Sequence, residues 1–96
     1  MDVYMQIVDI FHLLIGGTTF AGKITQEIPP IGKNQYMATL IVDGSIYQEN
    51  IHISGEWLSR HPDGFRAILT IEIINLTSDF VKDHDCQLIL IECQEK

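Results

Sequence analysis

Two apolar runs, Tyr36 to Val42 and Ser45 to Ser54, are separated by a single Asp43-Gly44 pair. Both central residues of a two-residue hairpin turn need positive φ, and Asp-Gly is among the few pairs that adopt it without strain. The middle of the chain is therefore read as an antiparallel hairpin, with Ile41 opposite Ile46 and Leu40 opposite Tyr47.

The flanking segments extend this β pattern. Thr19 to Ile28 reads as a strand ended by Pro29-Pro30, because proline cannot donate to a ladder. Phe65 to Leu76 is the clearest strand: Phe65, Ala67, Leu69, Ile71 and Ile73 share one face, and Arg66, Thr70 and Glu72 the other. It follows the turn His61-Pro62-Asp63-Gly64. Thr77 to Asp85 is polar, with room for one helical turn started by Ser78 or Asp79. Cys86 to Cys93 closes the pattern, and the consecutive Leu88, Ile89, Leu90 and Ile91 fit a strand buried on both faces.

Val3 to Ile15 satisfies two periods. As a helix, Gln6, Asp9 and His12 fall three apart, and Ile7, Ile10, Phe11 and Leu14 form an apolar face closed by Gly16-Gly17. As a strand, Val3, Met5, Ile7, Phe11 and Leu13 share a face that only Asp9 interrupts. The expected fold is mainly β, a small antiparallel barrel or sandwich of five to six strands in one domain spanning 1–96; the alternative is α+β, with a helix at 3–15 packed on the sheet. Exposed edge strands would allow a homodimer.

The order of features resembles the C-terminal β-barrel domain of elongation factor Tu-type GTPases. There an opening strand runs into a Gly-Gly pair, and a loop leads to a strand of aromatic and β-branched residues. Here Val3 to Ile15 runs into Gly16-Gly17, and Pro29-Pro30 leads to Tyr36-Met37-Ala38. Thr18 stands where that family carries Arg, the family's closing Gly-rich strand is absent, and no GxxxxGK[ST] motif occurs. The resemblance implies an all-β barrel and tilts Val3 to Ile15 towards a strand, and it assigns no functional residue.

Thirteen acids against six bases give a formal net charge of -7. Nucleic-acid binding relies on clustered Lys and Arg, so direct contact with DNA or RNA is not expected, and acidic membrane surfaces would repel the chain. A basic protein would be attracted. No run approaches the roughly 20 apolar residues of a membrane span. Asp2 stands where a signal peptide would carry a base, so the expected compartment is the cytoplasm, with Cys86 and Cys93 as free thiols.

No HExxH, CxxC or GxSxG motif is present. The nearest approach to a metal cluster is Asp83-His84-Asp85-Cys86, and Glu72 with Glu92 is the nearest to a carboxylate pair on adjacent strands. No enzyme activity, cofactor or metal is therefore expected. Trp57 lies in a segment read as irregular, Glu56 to His61, where an aromatic beside Arg60 has the look of an interface anchor. Asp79, Asp83 and Asp85 make the loop before the last strand acidic. The expected function is a non-enzymatic protein-binding module that uses Glu56, Trp57, Arg60, Asp79, Asp83 and Asp85. Its concrete form is a bacterial immunity or antitoxin-type inhibitor of a basic toxin. The alternatives are a stand-alone translation-factor-like barrel docking on another protein, and a small metal-binding or cysteine enzyme using His84 and Cys86.

Overall fold

The computed structural model describes residues 3–24, 26, 31–32, 35–57 and 65–93, Trp57 by its backbone alone. The strands are β1 (Val3–His12), β2 (Thr18–Ile24), β3 (Tyr36–Val42), β4 (Ser45–Trp57), β5 (Phe65–Thr70) and β6 (Cys86–Glu92), with one short helix, α1 (Ser78–Asp83), before β6. They form one closed antiparallel barrel in the order β1-β2-β5-β4-β3-β6. The fold is thus mainly β, and the choice between barrel and sandwich falls to the barrel. None of the helices described is long and apolar enough to cross a membrane.

Alternation of side chains fills the interior: Met5, Phe20, Leu40, Ile51, Ile53, Ile68, Leu88 and Leu90 are all buried within it. Ile74 and Leu76, from the segment between β5 and α1, are buried in the same core.

β1 is a strand throughout, so the helical alternative is overturned. A register shift between Ile7 and Asp9 makes Val8 an extra residue against β2. Such a bulge reverses the alternation beyond it. Val3, Met5 and Ile7 point inward before it and Ile10 after it, while Phe11 is half exposed. The inward positions are spaced two, two and then three apart, and the step of three from Ile7 to Ile10 is what imitates a helical period in the sequence. Gly22 sits opposite this kink; a Cβ there would stand 2.1 Å from the carbonyl oxygen of Gln6.

The Asp43-Gly44 turn forms as expected, with φ of 50° and 83°. Ile41 pairs with Ile46, but Leu40 pairs with Gln48 instead of Tyr47, because the register shifts between Leu40 and Ile41; a second shift follows between Leu40 and Ala38. β4 runs on through Glu56 and Trp57, which are strand residues and not an irregular segment. A shift between Ile53 and Gly55 turns Glu56 to the inner side opposite Ile68. β5 stops at Thr70 instead of Leu76, and its inner face is Arg66, Ile68 and Thr70. Ile71 and Ile73 lie beyond it, exposed. In β6, Leu88 and Leu90 face inward but Ile91 is exposed, so the strand is not buried on both faces.

Closure gives every strand two neighbours. Two described stretches have a strand on one side only: Ser45 to Asn50, at the projecting end of the β3–β4 hairpin, and β1 beyond Gln6, which pairs with β2 but no longer with β6.

Candidate functional site

One end of the barrel gathers the end of β1, the start of β2, the β3–β4 turn and the start of β6. α1 packs against β1 there. Thr77 caps the helix by accepting the Phe80 N–H, Asp79 occupies the first turn and Lys82 the last, each sign complementing the helix dipole. Ser78 Oγ donates to Asp9 at 2.6 Å, and the Ile10 N–H donates to the same oxygen at 2.8 Å. These bonds, the Ser78 hydroxyl foremost, hold the Asp9 carboxyl below the usual carboxylate range, with Lys82 adding a smaller pull. His12 donates from Nε2 to the Leu76 carbonyl at 2.7 Å.

Asp43, at the hairpin turn, is locked to the exit of α1. Its N–H donates to the Asp85 carbonyl at 2.8 Å, and its Oδ1 accepts the Asp85 N–H at 3.0 Å. Its Oδ2 accepts from His84 Nδ1 at 2.6 Å. The His84 bond, then that from Asp85, lowers the Asp43 carboxyl below its ordinary value. The His84 ring also stacks on Phe80, centroids 4.0 Å apart. Gln6 Nε2 donates to Asp85 Oδ1 at 2.8 Å and to the Cys86 carbonyl at 3.1 Å, tying β1 to the same corner. Beneath it the Cys86 thiol is pushed up by burial and then by the charges of Asp43 and Asp85.

The result is an exposed acidic end. Asp79, Asp83 and Asp85, expected to act together, do lie together and are joined by Asp43. Among the described residues of this end, Lys82 is the lone lysine or arginine, and it sits near Asp9. Preorganised carboxylates on fixed backbone can accept hydrogen bonds from Arg or Lys side chains of a partner, and that is the chemistry this surface offers.

The other expected residues lie at the opposite end. Glu56 faces into the barrel, where its carboxylate pairs with Nε and Nη2 of Arg66 and accepts the Ile31 N–H at 2.7 Å. The side chains of Arg66 and Glu56 are 6% and 1% exposed, so Glu56 holds the barrel together and is not presented to a partner. Trp57 ends β4 opposite Ala67. Arg60 lies outside the described residues.

Among the described residues, the groups named for the alternative chemistries are not brought together. His84 is turned to Asp43 and Phe80, Cys86 is buried, and no group of three or more His, Cys, Asp or Glu side chains among the described residues could hold a metal. Both cysteines are free. Glu72 and Glu92 are not on adjacent strands: Glu72 lies past β5 and pairs with His52, and Glu92 lies on β6, which neighbours β1 and β3. Burial pushes the Glu72 carboxyl up, but the hydrogen bonds from the His52 side chain and backbone outweigh it and the net shift is downward.

Asp43 and the apolar β1–β2 tip were missed by sequence reasoning. Asp43 was accounted for by the turn, and its partners stand 41 and 42 positions away. The tip did carry a signal, since Leu13-Leu14-Ile15 runs straight into Gly16-Gly17 where turn residues are usually polar.

Comparison with protein families, with curated proteins and with solved structures finds no match to this chain.

Proposed function

We propose that this protein is a non-enzymatic binding module that presents the acidic end of its barrel to a basic protein partner. An inhibitor of immunity or antitoxin type, covering a basic toxin, is the concrete form. The observation that carries the reading is the set Asp43, Asp79, Asp83 and Asp85, exposed at one end and held there by the Asp43–Asp85 lock. Fixed charge of one sign speeds encounter with an opposite charge and rejects like-charged competitors. The net charge of -7 adds to the same field.

The test is capture of partners from the native cell by tagged protein, at low and high salt, with Asp79→Lys/Asp83→Lys in parallel. A stoichiometric basic partner released by salt and lost with the charge reversal is expected. A partner retained in high salt, or bound equally by the reversed variant, would remove the acidic end from the function.

A second reading, a translation-factor-like barrel docking on another protein, is favoured by the closed six-stranded antiparallel barrel. It predicts co-sedimentation with ribosomes or with a translation factor, unaffected by the charge reversal.

A further inference from the structure

The β1–β2 hairpin ends in a turn that displays Leu14 and Ile15 at 106% and 95% exposure. The turn is ordered: the Gly16 N–H donates to the Leu13 carbonyl at 3.0 Å, and the Leu13 N–H to the Gly17 carbonyl at 3.4 Å. Gly17 presses against the end of β5, where a Cβ would stand 2.4 Å from the Thr70 carbonyl oxygen and 3.8 Å from that of Ile71. That contact sets Gly17, at the base of the tip, against the start of the run after β5, where Ile71 and Ile73 are 56% and 62% exposed. Phe11, half exposed, leads into the tip from β1. Aliphatic side chains held in water by a fixed turn, next to further exposed isoleucines, form the kind of patch that marks an interaction surface.

We infer that this patch is the apolar anchor site for a cationic amphipathic segment of a protein partner, whose apolar face covers Leu14, Ile15, Ile71 and Ile73 while its Lys or Arg side chains reach Asp79 and Asp83. The sign of the partner's charge rests on the reading of the acidic end given above. The two surfaces share one end of the barrel: the Ser78–Asp9 and His12–Leu76 bonds tie the start of α1 to the last residues of β1, which continue directly into the tip. A second copy of this chain is a poor occupant, because each copy brings a charge of -7. An anionic bilayer is repelled for the same reason. A segment with one apolar and one cationic face satisfies both halves of the surface at once.

The probe is a synthetic helical peptide of Leu and Lys at amphipathic spacing, titrated calorimetrically into the full chain. Controls are a Ser-for-Leu peptide that keeps the Lys and a Glu-for-Lys peptide that keeps the Leu. Leu14→Ser/Ile15→Ser, at positions that touch no core, should weaken the Leu/Lys peptide at least about tenfold. Asp79→Asn/Asp83→Asn should weaken it further and flatten its salt dependence. Amide shifts should move at Phe11, Leu14, Ile15, Ile71 and Ile73. Equal binding by the tip variant, with loss in the charge variant, overturns the anchor site and leaves the acidic end standing. Loss in the tip variant alone, or tight binding of the Glu-for-Lys peptide, overturns the cationic partner and the acidic-end reading with it. Self-association in sedimentation abolished by Leu14→Ser/Ile15→Ser, or tip-dependent binding to neutral phosphatidylcholine vesicles, names a different occupant and also overturns the inference.

Discussion

Neutralising Glu56 should cost this barrel a large share of its stability. Its carboxylate is the counter-charge of Arg66, and both side chains are almost wholly out of water. Removing one partner of a buried ion pair strips the other of that counter-charge while it stays out of water, a loss of about 3–5 kcal/mol. A domain of this size holds about 5–15 kcal/mol in all. Glu56→Gln keeps an amide oxygen that can still accept the Ile31 N–H, while it removes the charge and turns an NH2 towards the Arg66 Nε–H in place of an acceptor. Glu56→Ala also strips that N–H of its acceptor, which adds about 1–3 kcal/mol.

The assay is urea unfolding. With a slope of about 1–1.5 kcal/mol/M, Glu56→Gln should lower the midpoint by about 2–5 M. The decisive variant is the double change Glu56→Gln/Arg66→Met. It removes both charges while the methionine retains much of the arginine stem's volume. Replacing a whole buried pair by uncharged groups is often close to neutral, so the double variant should be more stable than Glu56→Gln alone. Two singles and a double that add to within about 0.5 kcal/mol would refute the coupling. So would a Glu56→Gln loss below about 1 kcal/mol, the worth of an exposed pair.

Thr19 Oγ1 is buried with no hydrogen-bond partner among the described residues, so Thr19→Val should leave the thermal midpoint unchanged or raise it, by up to about 1 kcal/mol of stability. Gly22→Ala would drive a Cβ into the Gln6 carbonyl and force β1 from β2, a loss at the upper end of about 1–3 kcal/mol by the same urea assay. The Cys93 thiol, part exposed, should react with an aromatic disulfide reagent in the native protein, whereas Cys86, buried and with its thiol pushed up, should react only at the rate of unfolding. Asp9 has a folded pKa below its unfolded value, so its contribution is complete above the ordinary carboxylate range and is lost as pH falls from there through the lower folded value. Stability measured from pH 5 downward should therefore fall less steeply in Asp9→Asn; an unchanged slope would rule out the Ser78 and Ile10 bonds as the cause.

Much of the fold is legible in the residues, and the errors share one cause. The Asp43-Gly44 turn, the bounds of β3, the start of β6 and the single helical turn follow from local chemistry that does not depend on distant contacts. Faces are less secure, because an inserted residue reverses them. Val8 does this in β1, so a bulged strand reads as a helix. In β5 the apparent inner face is the larger apolar set, Phe65, Ala67, Leu69, Ile71 and Ile73. The true inner face includes Arg66, which no reading of periodicity would place inside without a counter-charge. That counter-charge is Glu56, turned inward by the bulge before Gly55. The two misreadings are one event seen from two strands: a bulge in β4 brings a carboxylate inside, and the carboxylate allows an arginine to face the core.

The same logic explains where recognition can reside. The barrel interior is filled by Phe20, Met5, Leu40, Ile51, Ile53 and Ile68, and the Glu56–Arg66 pair is used internally. Groups that can meet a partner must then come from strand ends and connections. Here those positions depart from the composition such connections usually have. The β1–β2 turn is aliphatic where turns are normally polar, and the residues after β5 continue a strand-like apolar pattern with no sheet to cover it. The β3–β4 turn carries an aspartate whose carboxylate is fixed from the far end of the sequence. Folding alone asks for neither the exposed Leu14 and Ile15 nor so acidic a rim. Each lowers solubility or adds repulsion within the chain, and the cationic amphipathic partner proposed above would relieve both at once.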